Sequence, residues 1–600
     1  MCWFVLRLAV VLVAFLALGG AHLALGSASA EASPAAPGVV KEFEQPDGAT
    51  IQLRLWGDEF VHGWETLDGY SVGKNPSSGY WEHLVRDNSG NLVPSGTVVG
   101  AGSPPAPAHL RPSDAAIDEA RAARGAPPLG VPPAPAPPAW AGPDTDVLFI
   151  MVRFTDVPCT FTAAQMQTNL FGGGASGPGD LDSYFSEISY GALQLDGTVV
   201  GCFSLSNTRA YYDNGPATRP ISLVNEAVAL ADSTVNFANF DNDGNTVVDA
   251  LGIIYAGGGP HDGCFTDAPP DNLWPHRWNT GGTATGDGVT VNPYIMQSEI
   301  TFAMADFICD ERQTIGLFAH EFGHALGLPD LYDTDLSSEG IGSWSTMSSQ
   351  YLSTVNLADT PPHFDPWSKW FEGWITPVGY TGVNADVPIP QVETNPSVVR
   401  LLANPGGPDD WAPPGSGQYF LIENRRQVNF DSRLPGCGLL IWHIDESQST
   451  NRNEGHTASS HRLVDLEEAD GLDELDSIGD RGDPGDPYRG SSGNTTFDNV
   501  SYPHSKLYTD AASGVSISDI SPDCPATMTA DLSSPSGPAV GGIAEFPDTA
   551  GASPEEAGAQ GDGSGWSGSG YAALAGGLAA AASAIATGAW YARRRWLRRG

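Results

Sequence analysis

The stretch His320-Glu321-Phe322-Gly323-His324-Ala325-Leu326-Gly327-Leu328-Pro329-Asp330 spells H-E-x-x-H and continues into a glycine, a proline and an aspartate. Histidines four apart on a helix share one face, so both imidazoles can reach one cation, while Glu321 projects about 100° further round. The pattern predicts a catalytic zinc held by His320 and His324, with Glu321 beside it as general base. Asp310, with Gln313 three positions on, predicts the helix N-cap, and Ile315, Phe318, Phe322 and Leu326 predict its packed stripe. Gly327 suits a left-handed turn and Pro329 bars the helix from resuming, so the chain can double back and bring Asp330 to the metal as third ligand. Asp333 and Glu339 are the substitutes within reach.

A chain of 600 residues exceeds one core and allows roughly two or three domains. With 28 basic against 71 acidic residues the net charge is −43, which excludes nucleic acid as a natural partner and is compatible with calcium. Residues 1–30 combine Arg7, an apolar run from Leu8 to Leu18 and the small-residue end Ala28-Ser29-Ala30, the pattern of a cleaved signal peptide and so of an extracellular protein. Beyond it stand Cys159, Cys202, Cys264, Cys309, Cys437 and Cys524, an even set suited to disulfides in an oxidising compartment. Pairing of neighbours along the chain is expected, and the absence of C-x-x-C spacing argues against metal ligation by these cysteines. At the far end, 571–591 is uncharged and precedes Arg593, Arg594 and Arg595, which predicts a transmembrane anchor with 592–600 as a basic cytoplasmic tail.

Between these ends the texture changes several times. Residues 31–103 alternate apolar and polar positions between glycine turns and read as a small β-rich propeptide. Residues 104–142 read as a Pro/Ala-rich linker carrying Arg121 and Arg124, where a trypsin-like activating protease could cut. No cysteine lies between Glu31 and Pro158, so latency would need a carboxylate such as Asp58 or Glu59 on the zinc, or simple steric blockage. The unbroken apolar run Val147 to Val152 marks a buried strand opening a catalytic domain at 143–385. Residues 386–532 carry strand-like runs such as 418–422 and 438–442 and suggest an all-β, sandwich-like domain, and 533–570 an acidic Gly/Ser-rich stalk.

A second metal signal is Asp241-Asn242-Asp243-Gly244-Asn245-Thr246-Val247-Val248-Asp249. Side-chain oxygens from Asp241, Asp243, Asn245 and Asp249, with the Val247 carbonyl, match the first part of an EF-hand loop and predict structural calcium. Gly252 stands where the bidentate glutamate would be, so the loop is not a full EF-hand.

The zinc stretch runs on into Leu331-Tyr332-Asp333, then Gly340-Ile341-Gly342-Ser343-Trp344-Ser345-Thr346-Met347 and Phe364-Asp365-Pro366-Trp367-Ser368-Lys369-Trp370. Leu273-Trp274-Pro275-His276-Arg277-Trp278, Phe420-Leu421-Ile422-Glu423-Asn424-Arg425 and the Gly57-Asp58-Glu59-Phe60 region complete a pattern that closely resembles the immune inhibitor A family of secreted bacterial metalloproteases, over roughly residues 40–530. The resemblance implies an α+β, metzincin-like catalytic domain in which His320, His324 and Asp330 bind zinc, Glu321 is the base and Met347 forms a methionine turn beneath the metal. Aspartate takes the place of the more usual third histidine, and His276 is expected to pack or hydrogen-bond rather than ligate. The expected activity is zinc-dependent hydrolysis of internal peptide bonds in extracellular proteins or peptides. The alternatives are a catalytically silent surface-displayed binding protein and a zinc hydrolase of a non-protein substrate.

Overall fold

The computed structural model describes residues 31–124, 138–173, 177–214, 216, 218–264, 273–303, 308–402, 417–453 and 455–535. The expected signal peptide at 1–30, anchor at 571–591 and basic tail at 592–600, and all but 533–535 of the expected stalk at 533–570, lie outside the described residues. Among the described residues no helix is long and apolar enough to cross a membrane.

Strand β1 (Glu31–Ala32) leaves its neighbours to join a distant sheet. Then β2 (Val40–Glu44), β3 (Thr50–Gly57), β4 (His62–Thr66), β5 (Ser71–Lys74), β6 (Trp81–Arg86) and β7 (Leu92–Val98) form a six-stranded antiparallel meander in chain order. Alternation gives it one apolar face: Leu53, Leu55, Trp64, Val72 and Trp81 form one cluster with Trp274, Phe302 and Tyr351 from the following region. The meander is thereby packed onto the neighbouring residues by area removed from water.

The segment 104–142 is not a plain linker. Ser113 caps a ten-residue helix, α1 (Asp114–Ala123), by accepting from the Ala116 N–H. The alanines that suggested a spacer are the strongest helix formers. Arg452 holds α1 through Asp118 at 2.5 Å, and the Arg121 guanidinium lies 4.2 Å from the centre of the Phe60 ring. Arg121 is thus buried within a helix and closed to an activating protease, whereas Arg124 is half-buried at the helix end.

The central sheet begins at β8 (Thr145–Arg153), whose residues Val147 to Val152 are each at most 1 % exposed. Their two faces feed different cores. Val147, Phe149 and Met151 pack with α2 (Ala163–Phe171) and α3 (Leu181–Ile188), and Leu148, Ile150 and Val152 pack with α5 (Arg219–Ala231), which follows α4 (Arg209–Asp213). Strand β8 pairs in parallel with β9 (Leu195–Ser204) and β11 (Leu251–Gly258), and β11 pairs in parallel with β13 (Thr290–Thr301). Short strands β10 (Val247–Val248) and β14 (Glu311–Arg312) also lie on β13. Strand β12 (His276–Ala284) runs antiparallel to β13, and β1 runs antiparallel along its outer edge.

Helix α6 (Ile315–Leu326) carries the H-E-x-x-H stretch. Its N-cap is Thr314, not Asp310, because Glu311 and Arg312 are drawn into β14 and the helix cannot start before that strand ends. Gly327 closes it at φ +107°, the left-handed conformation expected.

After α7 (Pro366–Phe371), strands β15 (Val378–Tyr380), β17 (Val399–Leu401), β18 (Gln418–Arg425), β19 (Gly438–Asp445) and β20 (Val464–Leu466) form a five-stranded sheet, and β16 (Gly382–Pro390), β21 (Ser516–Ser518) and β22 (Thr527–Ser534) a three-stranded one. The expected boundary at 385/386 falls inside β16, and the strands start at Val378. The two regions share one core, in which Trp344, Met347 and Trp367 join Tyr419, Leu421 and Trp442. A buried ion pair adds to the seam: Arg425 meets Asp431 at 2.7 Å and donates to the Trp344 carbonyl at 3.2 Å. Disulfides link Cys159 to Cys202, Cys264 to Cys309 and Cys437 to Cys524, the pairing of neighbours.

Candidate metal centre

On α6 the imidazoles of His320 and His324 face the same point, with their Nε2 atoms 3.1 Å apart. The Gly327 turn returns Asp330, whose Oδ1 lies 3.3 Å from His320 Nε2 and 3.2 Å from His324 Nε2. Each Nδ1–H donates to a carbonyl, His320 to Thr346 at 2.8 Å and His324 to Leu328 at 2.9 Å. The Nε2 lone pairs therefore point inward. Asp330 Oδ1, fully buried, receives no hydrogen bond. Three acceptors converging without a donor fit a cation, and their spacing is near the roughly 3.3 Å between donors about 2.0–2.1 Å from one tetrahedral ion.

Met347 is fully buried against the helix that carries the two histidines. A Cβ on Gly323 would meet Met347 Sδ at 2.3 Å, so the glycine between the two histidines is what lets the sulfur approach the helix. Leu331 N–H donates to the Met347 carbonyl at 2.9 Å, tying the turn to the Asp330 segment. The substitutes are engaged elsewhere: Asp333 accepts from Ser337 and Ser338, and Glu339 pairs with Arg481 at 2.6 Å. His276 is neutral, its imidazole pushed down to about 4 by burial, and it bridges the Trp274 carbonyl and the Tyr294 hydroxyl.

Glu321 is engaged by a residue that sequence reasoning missed. Ser33 donates to its Oε1 twice, from Oγ at 2.8 Å and from the backbone N–H at 3.1 Å, while Oε2 has no hydrogen-bond partner. Burial raises the Glu321 carboxyl to about 8, against the opposing pull of His324 and the Ser33 bonds. Ser33 follows β1, so a segment of this chain runs along the edge strand β12 and across the metal centre. Trp274 Nε1 donates to the Ser33 carbonyl at 2.8 Å, the Tyr351 hydroxyl to the Pro34 carbonyl at 2.6 Å, and Ala36 N–H to the His261 carbonyl at 2.7 Å. A cavity of about 530 Å³ flanks residues 34–38, walled by Tyr332, Glu339, Tyr351 and Arg481.

The two carboxylates expected to reach the metal behave differently. Asp58 accepts from Phe60 and Val61 N–H, within its own turn, and lies 3.8 Å from Arg121. Glu59 is buried with neither oxygen hydrogen-bonded. Neither belongs to the set converging with His320, His324 and Asp330.

The loop before β10 brings Asp241, Asp243 and Asp249 within 4.8 Å of one another. Asn245 lies in the same loop, with its Oδ1 accepting from Val247 N–H at 2.8 Å, and Val247 enters β10 beside Thr290. Burial, with the charges of Asp243 and Asp241, raises Asp249 to about 7 despite the Asn242 N–H. Gly252 has a packing reason rather than a metal one: a Cβ there would lie 2.1 Å from the Phe149 ring. A further acidic group, Glu468, Asp470, Glu474 and Asp486, comes together from separate loops and had no spacing signal.

A buried set of two imidazoles and a carboxylate on and after a helix, with a glutamate beside it, is a donor set suited to a catalytic metal. Residues 160–375 match the family model for the immune inhibitor A peptidase M6 catalytic domain. It is 33 % identical over 215 residues to immune inhibitor A of Bacillus thuringiensis subsp. alesti, covering 31 % of each chain. It is 30 % identical over 244 residues to the pre-pro-metalloprotease PrtV of Vibrio cholerae serotype O1 (strain M66-2), covering 36 % of this chain and 26 % of that one. The match thus spans about a third or less of either relative's length.

Proposed function

We propose that the chain is the latent form of a zinc metalloendopeptidase acting on extracellular proteins. The observation that carries this is the peptide of its own chain lying on Glu321 and pairing with β12, as a substrate strand would. His320, His324 and Asp330 hold the zinc, and Met347 supports them from below. The ion, when bound, polarises the scissile carbonyl and acidifies a water. Glu321 then takes the proton from the attacking water and returns it to the departing amine, so no covalent intermediate forms. In the latent chain the Ser33 hydroxyl makes the hydrogen bond to Glu321 that this water would make. Residues 31–103 act as the propeptide, and cutting beyond α1, from Arg124 onward, releases them. Calcium at Asp241, Asp243 and Asp249 braces the approach to β11. Export by residues 1–30 and anchoring by 571–591 would place the enzyme outside the membrane.

The test is casein hydrolysis by the chain after limited trypsin treatment, compared with Glu321→Ala and with chelation followed by zinc return. Activity that is lost in the variant and recovered with zinc in the wild type supports the reading. Stoichiometric zinc without turnover, even after trypsin, refutes it.

A further inference from the structure

We infer that Trp274 and Tyr351 are primed-side positioning residues that hold two consecutive backbone carbonyls of a substrate, so that the site takes peptides extending at least two residues beyond the cleaved bond. The inference rests on the peptidase reading and deepens it. The register comes from the segment already in the cleft. Glu31 and Ala32 pair antiparallel with Arg277 and His276, and Ser33 N–H points at Glu321 Oε1 at 3.1 Å. In peptide hydrolysis the nitrogen facing the general base is the departing amine. Ser33 N therefore stands for that amine, Ala32–Ser33 for the scissile bond, and Ser33 and Pro34 for the first two residues after it.

Both downstream carbonyls are met by a side-chain donor: the Trp274 indole N–H on Ser33 at 2.8 Å and the Tyr351 hydroxyl on Pro34 at 2.6 Å. Two residues further, the His261 carbonyl accepts from Ala36 N–H at 2.7 Å. These three hydrogen bonds reach only main-chain atoms, so they are open to any extended peptide whatever its side chains. The two side-chain donors are also built in. Trp274 and Tyr351 are 1 % and 7 % exposed. Trp274 is fixed by its carbonyl's bond to His276 Nδ1 at 2.6 Å, and Tyr351 follows the Met347 turn that is tied to the Asp330 segment. A substrate too short to supply the carbonyl forgoes that bond and the covering of its donor, and is cleaved more slowly.

The experiment uses the full chain after limited trypsin treatment and a set of peptide amides sharing one upstream half, ending one, two or four residues past the bond. Cleavage is followed by mass spectrometry for wild type, Tyr351→Phe and Trp274→Phe. Wild type should gain at least about tenfold in kcat/KM between one and two downstream residues, the scale of one satisfied buried donor. In Tyr351→Phe that step should fall below about threefold with the pH profile unchanged, while Trp274→Phe should lower all peptides together and keep the step. A full step in Tyr351→Phe, or no step in wild type, overturns the clamp while leaving the peptidase standing. A wild type that cleaves no peptide sinks the peptidase reading and this inference with it.

Discussion

Replacing Gly323 by alanine should separate the stability of the zinc helix from its metal affinity. The new Cβ would lie 2.3 Å from Met347 Sδ, 3.1 Å from Met347 Cε and 3.3 Å from Phe364 Cζ. Ordinary contact is about 3.5–4.0 Å, so the sulfur must retreat by roughly 1.2–1.7 Å inside a fully buried site. Overpacking of this kind costs about 1–3 kcal/mol, and the better helix propensity of alanine returns about 1 kcal/mol, leaving a net loss of about 0–2 kcal/mol. The metal should suffer more. Met347 follows Thr346, whose carbonyl orients the His320 imidazole at 2.8 Å, and disturbing such a partner lowers metal affinity about 10–100-fold. Competition against a chromophoric chelator reads the affinity and thermal melting reads the stability. Adding Met347→Ala should win back affinity while costing a further ~2–5 kcal/mol, because it relieves the overlap and opens a cavity. Zinc affinity of the single variant within about threefold of wild type would refute the reasoning.

Three other outcomes are expected. Ser33→Ala removes the hydroxyl bond to Glu321 at 2.8 Å, and such a bond is worth about 0.5–1.5 kcal/mol. The untreated chain should then leak activity on casein, by about 2–10-fold over wild type, and an unchanged latent chain counts against Ser33 as the blocking group. Asp431 is raised by burial but lowered more by Arg425 and His363, so its folded carboxyl lies below the ordinary value. The stability it contributes is present above about pH 3.9 and lost as pH falls through the folded value. The melting gap between wild type and Asp431→Asn should therefore be widest near neutrality and close in acid; a gap that widens below pH 4 contradicts this. Calcium at about a hundred times its Kd should raise wild-type stability by about 2.7 kcal/mol, and Asp243→Ala should abolish the response. Equal melting shifts in the two proteins would remove the loop from the list of calcium sites.

What could be read from the chain was local. The apolar run at 147–152, the Gly327 stop and the proximity of His320, His324 and Asp330 all depend on residues within a few turns of one another. The N-cap was misread because Asp310 and Gln313 form a sound local pattern, yet pairing of Arg312 with Ile300 draws the intervening residues into a strand. Tertiary pairing overrode a preference of about 1 kcal/mol. Similarly, alanines and prolines at 104–142 look like a spacer until Asp118 and Arg121 find Arg452 and Phe60. The boundary at 385/386 failed because the apolar faces of β18 and β19 pack on Trp344 and Met347 rather than closing a core of their own.

The blocking group was illegible because its place is set only in three dimensions, by strand register. Asp58 and Glu59 were equivalent candidates in sequence, and both do lie in the unit that covers the cleft. In the fold Asp58 is instead held by the Phe60 and Val61 N–H groups of its own turn and lies beside Arg121, and Glu59 is buried outside the set formed by His320, His324 and Asp330. A serine hydroxyl and a backbone N–H donate to Glu321 directly. In the string Ala32-Ser33-Pro34-Ala35-Ala36 nothing distinguishes Ser33 until pairing with β12 sets the register that lays it on Glu321.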